Sequence, residues 1–218
     1  MIPVKICGIT NKEDALAAAR SGAAALGFIF YPHSTRYITP EDARKITKIL
    51  PRHVVRVGVF VNENAGEVKR IIRYCDLDFV QLHGDETVGY CHDFPPERTI
   101  KAMNLQNRVD LTKALQYNVA AILVDRRTRG LYGGTGKKAN WDLALQIKNK
   151  KPLILSGGLN EDNVAEALAR VAPDALDINS GVEMEPGKKD HNKIARIFGI
   201  VHSLDLKAGN FRPIFIKR

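Results

Sequence analysis

A chain of 218 residues with three cysteines and a formal charge of +9 is long enough to bury a large core and too poor in cysteine for a disulfide framework. Cys7, Cys75 and Cys91 have no CxxC spacing, no metal-ligand cluster is visible, and the longest apolar run, Val119–Val124, is far too short to span a bilayer. Basic residues concentrate at Arg126–Gly130, Gly136–Lys138, Lys148–Lys151 and in the C-terminal tail, but without interleaved aromatics or a helix-turn-helix or zinc-finger spacing, so the charge suits solubility and anionic small molecules better than nucleic acid.

The first apolar run, "VKICGI" from Val4, carries Cys7 at its end and breaks at Gly8. Thr10 with Glu13 reads as a capping box that opens a helix through "NKEDALAAARSG", closing at Gly22. Cys7 therefore has two readings. A free cysteine is among the most buried residue types, yet one at a strand end beside a helix N-terminus can present its thiol to a substrate.

"ALGFIF" from Ala25 is the second run, followed by Thr39 as N-cap and Pro40 at the first helical position of "TPEDARKITKIL". "VVRVGVF" from Val54, "DFVQLHG" from Asp78 and "TIKAMN" from Thr99 come next. The helix after the fifth run, "QNRVDLTKALQY", is short and expected to be irregular, partial or frayed. "AAILVD" from Ala120 leads to "GGTGKK" (Gly133–Lys138), which lacks P-loop spacing and reads as a mobile loop over a site. "PLILSGG" from Pro152 and "ALDINSG" from Ala175, each followed by a helical stretch, complete the series.

Eight strand–helix alternations predict an α/β fold: a (β/α)8 TIM barrel forming a single domain over residues 1–203, with 204–218 an extension of unassigned role. An open doubly wound sheet would want a GxGxxG turn after the first strand, which "CGITNK" is not. Active sites of such barrels lie at the carboxyl ends of the strands, where Cys7, His83, Asp125 and Asp177 would converge. The loops "LSGGL" and "NSGVE" follow strands seven and eight, the recurrent phosphate position of the fold, which points to Gly157, Gly158, Ser180 and Gly181 as phosphate-binding. Lys5 shares a strand face with Cys7 and stays unassigned.

The motifs "KICGIT", "GFIF…STRYI", "VGVF", "QLHG", "LVD" with "GGTGKKANWD", "LSGGL" and "DINSGVE…PGKKD" span roughly residues 4–200 and together resemble the phosphoribosylanthranilate isomerase family. Two departures stand out: Ser34-Thr35-Arg36 where the family commonly has Ser-Pro-Arg, and the tail beyond the last helix. The resemblance implies an Amadori rearrangement of N-(5-phosphoribosyl)anthranilate to 1-(2-carboxyphenylamino)-1-deoxyribulose 5-phosphate in tryptophan biosynthesis, with no metal and no organic cofactor required. It makes Asp125 the general acid toward the sugar ring oxygen and Cys7 the base toward C2. The thiol pKa should then lie below the free value of about 8.5, helped by the helix N-terminus. Arg36 would take the anthranilate carboxylate in a bidentate contact, with His83 and Asp177 lining the substrate-binding mouth. A phosphorylated small molecule, no nucleic acid, no membrane, a monomer or homodimer and a cytoplasmic setting complete the expectation. Two alternatives have the same loops. One is the histidine-pathway aminoaldose–ketose isomerase, whose strand-one residue is aspartate, or a dual-substrate isomerase, which Cys7 does not argue against; the other is a non-catalytic phosphate- or nucleic-acid-binding barrel.

Overall fold

The computed structural model describes residues 1–125, 140–204 and 211–216. The basic run Arg126–Gly130 and the Gly-rich stretch Gly133–Lys138 lie outside the described residues, as do residues 205–210 and 217–218 of the tail.

Eight parallel strands form a closed barrel in chain order: β1 (Val4–Cys7), β2 (Ala25–Ile29), β3 (Val55–Phe60), β4 (Phe79–Leu82), β5 (Thr99–Met103), β6 (Ala121–Val124), β7 (Leu153–Leu155) and β8 (Ala175–Ile178). The β1–β8 seam closes it, with Lys5 paired to Asp177. These strands are buried on both faces, which is why they read as near-continuous apolar runs. Inward positions such as Ala25, Val57, Phe79, Ile100, Leu123 and Ile154 fill the barrel. Outward ones such as Ile6, Leu26, Phe28 and Leu82 pack beneath the helices. The same period of two aims Cys7, Gln81, His83, Asp125 and Asp177 into the barrel's upper mouth.

The helices are α1 (Lys12–Arg20), α2 (Pro40–Thr47), α3 (Ala65–Cys75), α4 (Val88–Cys91), α5 (Arg108–Gln116), α6 (Trp141–Lys148), α7 (Val164–Val171) and α8 (His191–Ser203). Thr39 caps α2 through the Asp42 amide, with Pro40 at the first position as expected. The capping box expected at Thr10 is corrected: Asn11 is the N-cap of α1 and accepts from the Asp14 amide. Asparagine is as good an N-cap as threonine, and the Thr10 hydroxyl donates instead to the Gly187 carbonyl. Gly187 lies in the turn of a hairpin, β9 (Glu183–Glu185) and β10 (Lys188–Lys189), that follows β8. The irregular crossover is the fourth, not the fifth. Asn107 and Asp110 cap each other's backbone and start a complete nine-residue α5, whereas α4 has four residues. Pro95 and Pro96 follow α4 closely and cannot donate to a helical ladder.

At the opposite end of the barrel the tail returns to the core. The Arg212 amide donates to Asp174 just before β8, Ile214 joins the interior cluster, and Phe215 meets Phe79 edge-on at 6.2 Å between centroids. Among the described residues no helix is long and apolar enough to cross a membrane. Truncation of Ile214 to alanine should lower unfolding free energy by roughly 2–5 kcal/mol, the range for a buried branched side chain, without touching chemistry at the far mouth. Denaturant unfolding with a wild-type midpoint would show that the tail is not part of the core.

Candidate active site

The carboxyl ends of the strands surround a cleft of about 690 Å³, part of it open to solvent. Cys7, Arg36, His83, Asp125, Gly157, Gly158, Asp177 and Ser180 all line it. Gly181 sits behind the wall. A Cβ there would lie 1.8 Å from the Leu159 carbonyl oxygen, so glycine is what lets the loop after β8 close on the loop after β7. Gly157 and Gly158, which line the cleft, have φ of 86° and 67°, the left-handed region that a β-carbon disfavours.

Cys7 is both buried and at the cleft. It is only 4% exposed, packed with Ile29 and Val59, and it lines the cleft. Its expected low pKa is corrected. Burial pushes the thiol up; Lys5 pulls it down, Asp177 opposes Lys5, and Lys189 assists. The helix meant to help begins only at Lys12. Lys5 is wholly buried, and its ammonium donates to Asp177 Oδ1 at 2.7 Å. Burial works against that ammonium, but Asp177 and Cys7 together hold its pKa above the ordinary lysine value. The Ser156 hydroxyl donates to the other Asp177 oxygen at 3.4 Å.

Asp125 stands 3.2 Å from His83 Nε2. Behind the imidazole, the Gln81 amide nitrogen lies 2.8 Å from Nδ1. With that amide donating, the ring proton is on Nε2 and points at the Asp125 carboxyl. Gln81 is two residues upstream on the same inward face, and the alternation in "QLHG" is the signal that could have singled it out. Lys101 on β5 donates to the Leu82 and Gly84 carbonyls on either side of His83 and to Glu86 at 2.8 Å, anchoring the loop from outside the barrel.

Arg36 is held by Glu183, the last residue of "NSGVE", which the motif alone does not mark as a partner. Arg36 Nε donates to Oε1 at 2.9 Å and Nη2 to Oε2 at 2.7 Å, while Lys189 donates to the same carboxylate at 2.8 Å. This leaves the Nη1–Nη2 edge of the guanidinium for a second, planar anion, with Thr35 Oγ1 touching Nη1 only at 3.5 Å. Burial alone would raise the Glu183 pKa, but the hydrogen bonds and charges of Arg36 and Lys189 bring it below the ordinary glutamate value. The mouth thus brings together a thiol, a carboxyl with an imidazole beside it, two glycine-containing loops and a fixed guanidinium with an open planar edge.

Residues 4–199 match the family model described as N-(5'phosphoribosyl)anthranilate (PRA) isomerase. The N-(5'-phosphoribosyl)anthranilate isomerase of Syntrophus aciditrophicus is 52% identical over 201 residues, covering 92% of this chain and 87% of its own. Among solved structures, monomers generated from the dimeric phosphoribosylanthranilate isomerase of Thermotoga maritima are 45% identical with a TM-score of 0.83, covering 94% of this chain and 100% of that one. A phosphoribosyl anthranilate isomerase in complex with reduced 1-(o-carboxyphenylamino)-1-deoxyribulose 5-phosphate is 44% identical with a TM-score of 0.82, over 94% of this chain and 100% of its own.

A lowered Glu183 pKa means that its contribution to stability is complete above the ordinary value of 4.5 and fades as the pH falls through the lower folded value. Glu183→Gln should therefore cost about 2–3 kcal/mol at neutral pH, as expected for lost hydrogen bonds between charged groups, and the deficit should shrink in acid. Urea unfolding across that pH range checks it; a deficit independent of pH would mean the carboxylate is not the ionised partner of Arg36.

Proposed function

Because this chain belongs to the N-(5'-phosphoribosyl)anthranilate isomerase family, we propose that the cleft at its barrel mouth carries out the family's rearrangement with Cys7 as base and Asp125 as acid. The protein is an isomerase of tryptophan biosynthesis: it converts N-(5-phosphoribosyl)anthranilate into 1-(2-carboxyphenylamino)-1-deoxyribulose 5-phosphate, an aldose into a ketose. One observation supports the residue roles above the rest. A thiol, a carboxyl, two glycine loops and an arginine from five different strand ends converge on a single cleft.

Asp125 gives its proton to the furanose ring oxygen as the C1–O bond breaks, and the anilino nitrogen pushes in to form the iminium. His83, with its Nε2 proton directed at Asp125, stabilises the carboxylate left behind. The Cys7 thiolate then takes the C2 proton. The C2–H electron pair becomes the C1=C2 bond, the iminium pair returns to nitrogen, and the enolamine relaxes to the ketone. Arg36 holds the anthranilate carboxylate on its open edge, fixed in place by Glu183. Amides of Gly157, Gly158 and Ser180 bind the phosphate, with Gly181 keeping the two loops together. His83 and Asp177 form the wall along the sugar.

On this reading residues 1–203 are the catalytic barrel, and the described part of the tail closes its far end. The enzyme works in the cytoplasm as a monomer or homodimer, on a phosphorylated small molecule and without nucleic acid or membrane.

Asp125→Asn keeps the shape but has no proton to give, so kcat should fall by roughly 10²–10⁴, measured by the loss of substrate fluorescence. An asparagine variant with near-normal turnover removes Asp125 from the mechanism. Cys7→Ser should lose turnover while keeping its fold and its affinity for a product analogue, because a hydroxyl is a far poorer base than a thiolate near neutral pH. If serine is instead fully active, the base lies elsewhere.

A further inference from the structure

With Cys7 as the base, as proposed above, the cleft sets a problem. The wall of Ile29 and Val59 that buries the thiol disfavours its charged, reactive form. A buried thiolate needs a fixed positive charge within reach. Lys5, two residues earlier on the same inward face of β1, is wholly buried in a barrel whose interior cluster is otherwise apolar.

The register shows why the lysine reaches the thiol. Cys7 pairs with Gly27 on β2, and Lys5 pairs with Asp177 on β8. A Cβ built on Gly27 would lie 2.7 Å from Cys7 Sγ and 2.9 Å from Lys5 Nζ. Thiol and ammonium therefore meet over the side chain that Gly27 lacks, while Asp177 pins the ammonium from the other side at 2.7 Å.

We propose that Lys5 is the positioning residue that makes Cys7 a base: its buried ammonium, held by Asp177 and admitted by Gly27, is the fixed counter-charge of the thiolate. Other charged groups do not replace it. From β8, Asp177 opposes the thiolate; from β10, Lys189 favours it but is bound to Glu183 and Asn179. Arg36 is forked onto Glu183, and His83 and Asp125 are paired with each other across the cleft. Lys5 keeps its proton throughout. The thiolate takes the C2 proton to become a neutral thiol, and the released electron pair stays on the substrate.

The test reads the thiol directly. Cys7 lines the cleft, whereas Cys75 and Cys91 are buried in the core beneath the helices, so iodoacetamide labelling read at each cysteine by peptide mass reports on Cys7 separately. Lys5→Met strands the Asp177 carboxylate, so Lys5→Met/Asp177→Asn is made beside it. Alkylation at pH 7 should slow about tenfold or more in Lys5→Met, one pKa unit, and less steeply but still measurably in the double variant, because Asp177 opposes the thiolate. For Lys5→Met the acid limb of the kcat profile should move up by the same increment with KM unchanged. Folded variants that alkylate at the wild-type rate overturn the proposal. A third arm leaves Lys5 in place: the 15N resonance of its ammonium in the wild-type enzyme must shift at the pH where Cys7 titrates, and an indifferent resonance also overturns it. Turnover by Cys7→Ser would instead sink the assignment of the base, while alkylation would still show whether Lys5 holds the thiol.

Discussion

An ammonium and a carboxylate inside a barrel tolerate each other only as a pair, and the Lys5–Asp177 contact across the β1–β8 seam is such a pair. Taking either charge out of water alone costs several kcal/mol, and an apolar pair of similar volume is often the more stable solution. The interior below it takes that apolar solution, with Ala25, Val55, Ile154 and Ala175. The Lys5–Asp177 pair brings charge into the barrel just beneath the cleft, which Asp177 lines. The seam, the thiol and the wall of the site are consequently one arrangement, and moving any one of them exposes an uncompensated charge.

The rest of the mouth follows the same logic of fixing charges before a substrate arrives. Arg36 is oriented by Glu183, which is itself held by Lys189 from the hairpin after β8. His83 is oriented by Gln81 within the barrel, and Lys101 anchors the backbone around it from outside. Groups held in this way need little reorganisation when charge develops on a reacting sugar, which is where electrostatic stabilisation is most effective. Glycine makes the close approaches possible. Gly27 admits two side chains, and Gly181 admits a carbonyl.

Much of this architecture is legible in the order of the residues. Eight apolar runs separated by capped helical stretches predict the barrel, because strand burial and helix capping are written in neighbouring residues. Thr39 and Pro40 mark the start of α2 for that reason. The first helix starts one residue later than Thr10 suggests, because Asn11 is an equally good cap and a distant carbonyl recruits the threonine. The short fourth helix escapes a sequence reading for a related reason: periodicity alone marks the fifth stretch as the poorer one, while the Asn107–Asp110 box completes it.

The sequence by itself determined the order of the elements and the face on which strand-end residues such as Cys7, His83, Asp125 and Asp177 lie. These depend on a period of two and on caps a few residues apart. Tertiary structure alone decided the state of those side chains. Glu183 reaches Arg36 across 147 residues and Lys5 reaches Asp177 across 172, separations that leave no local signal. The Cys7 thiol shows the consequence most clearly: strand-end position suggests a lowered pKa, but burial raises it, because solvation and neighbouring charge belong to the folded surroundings rather than to the residue.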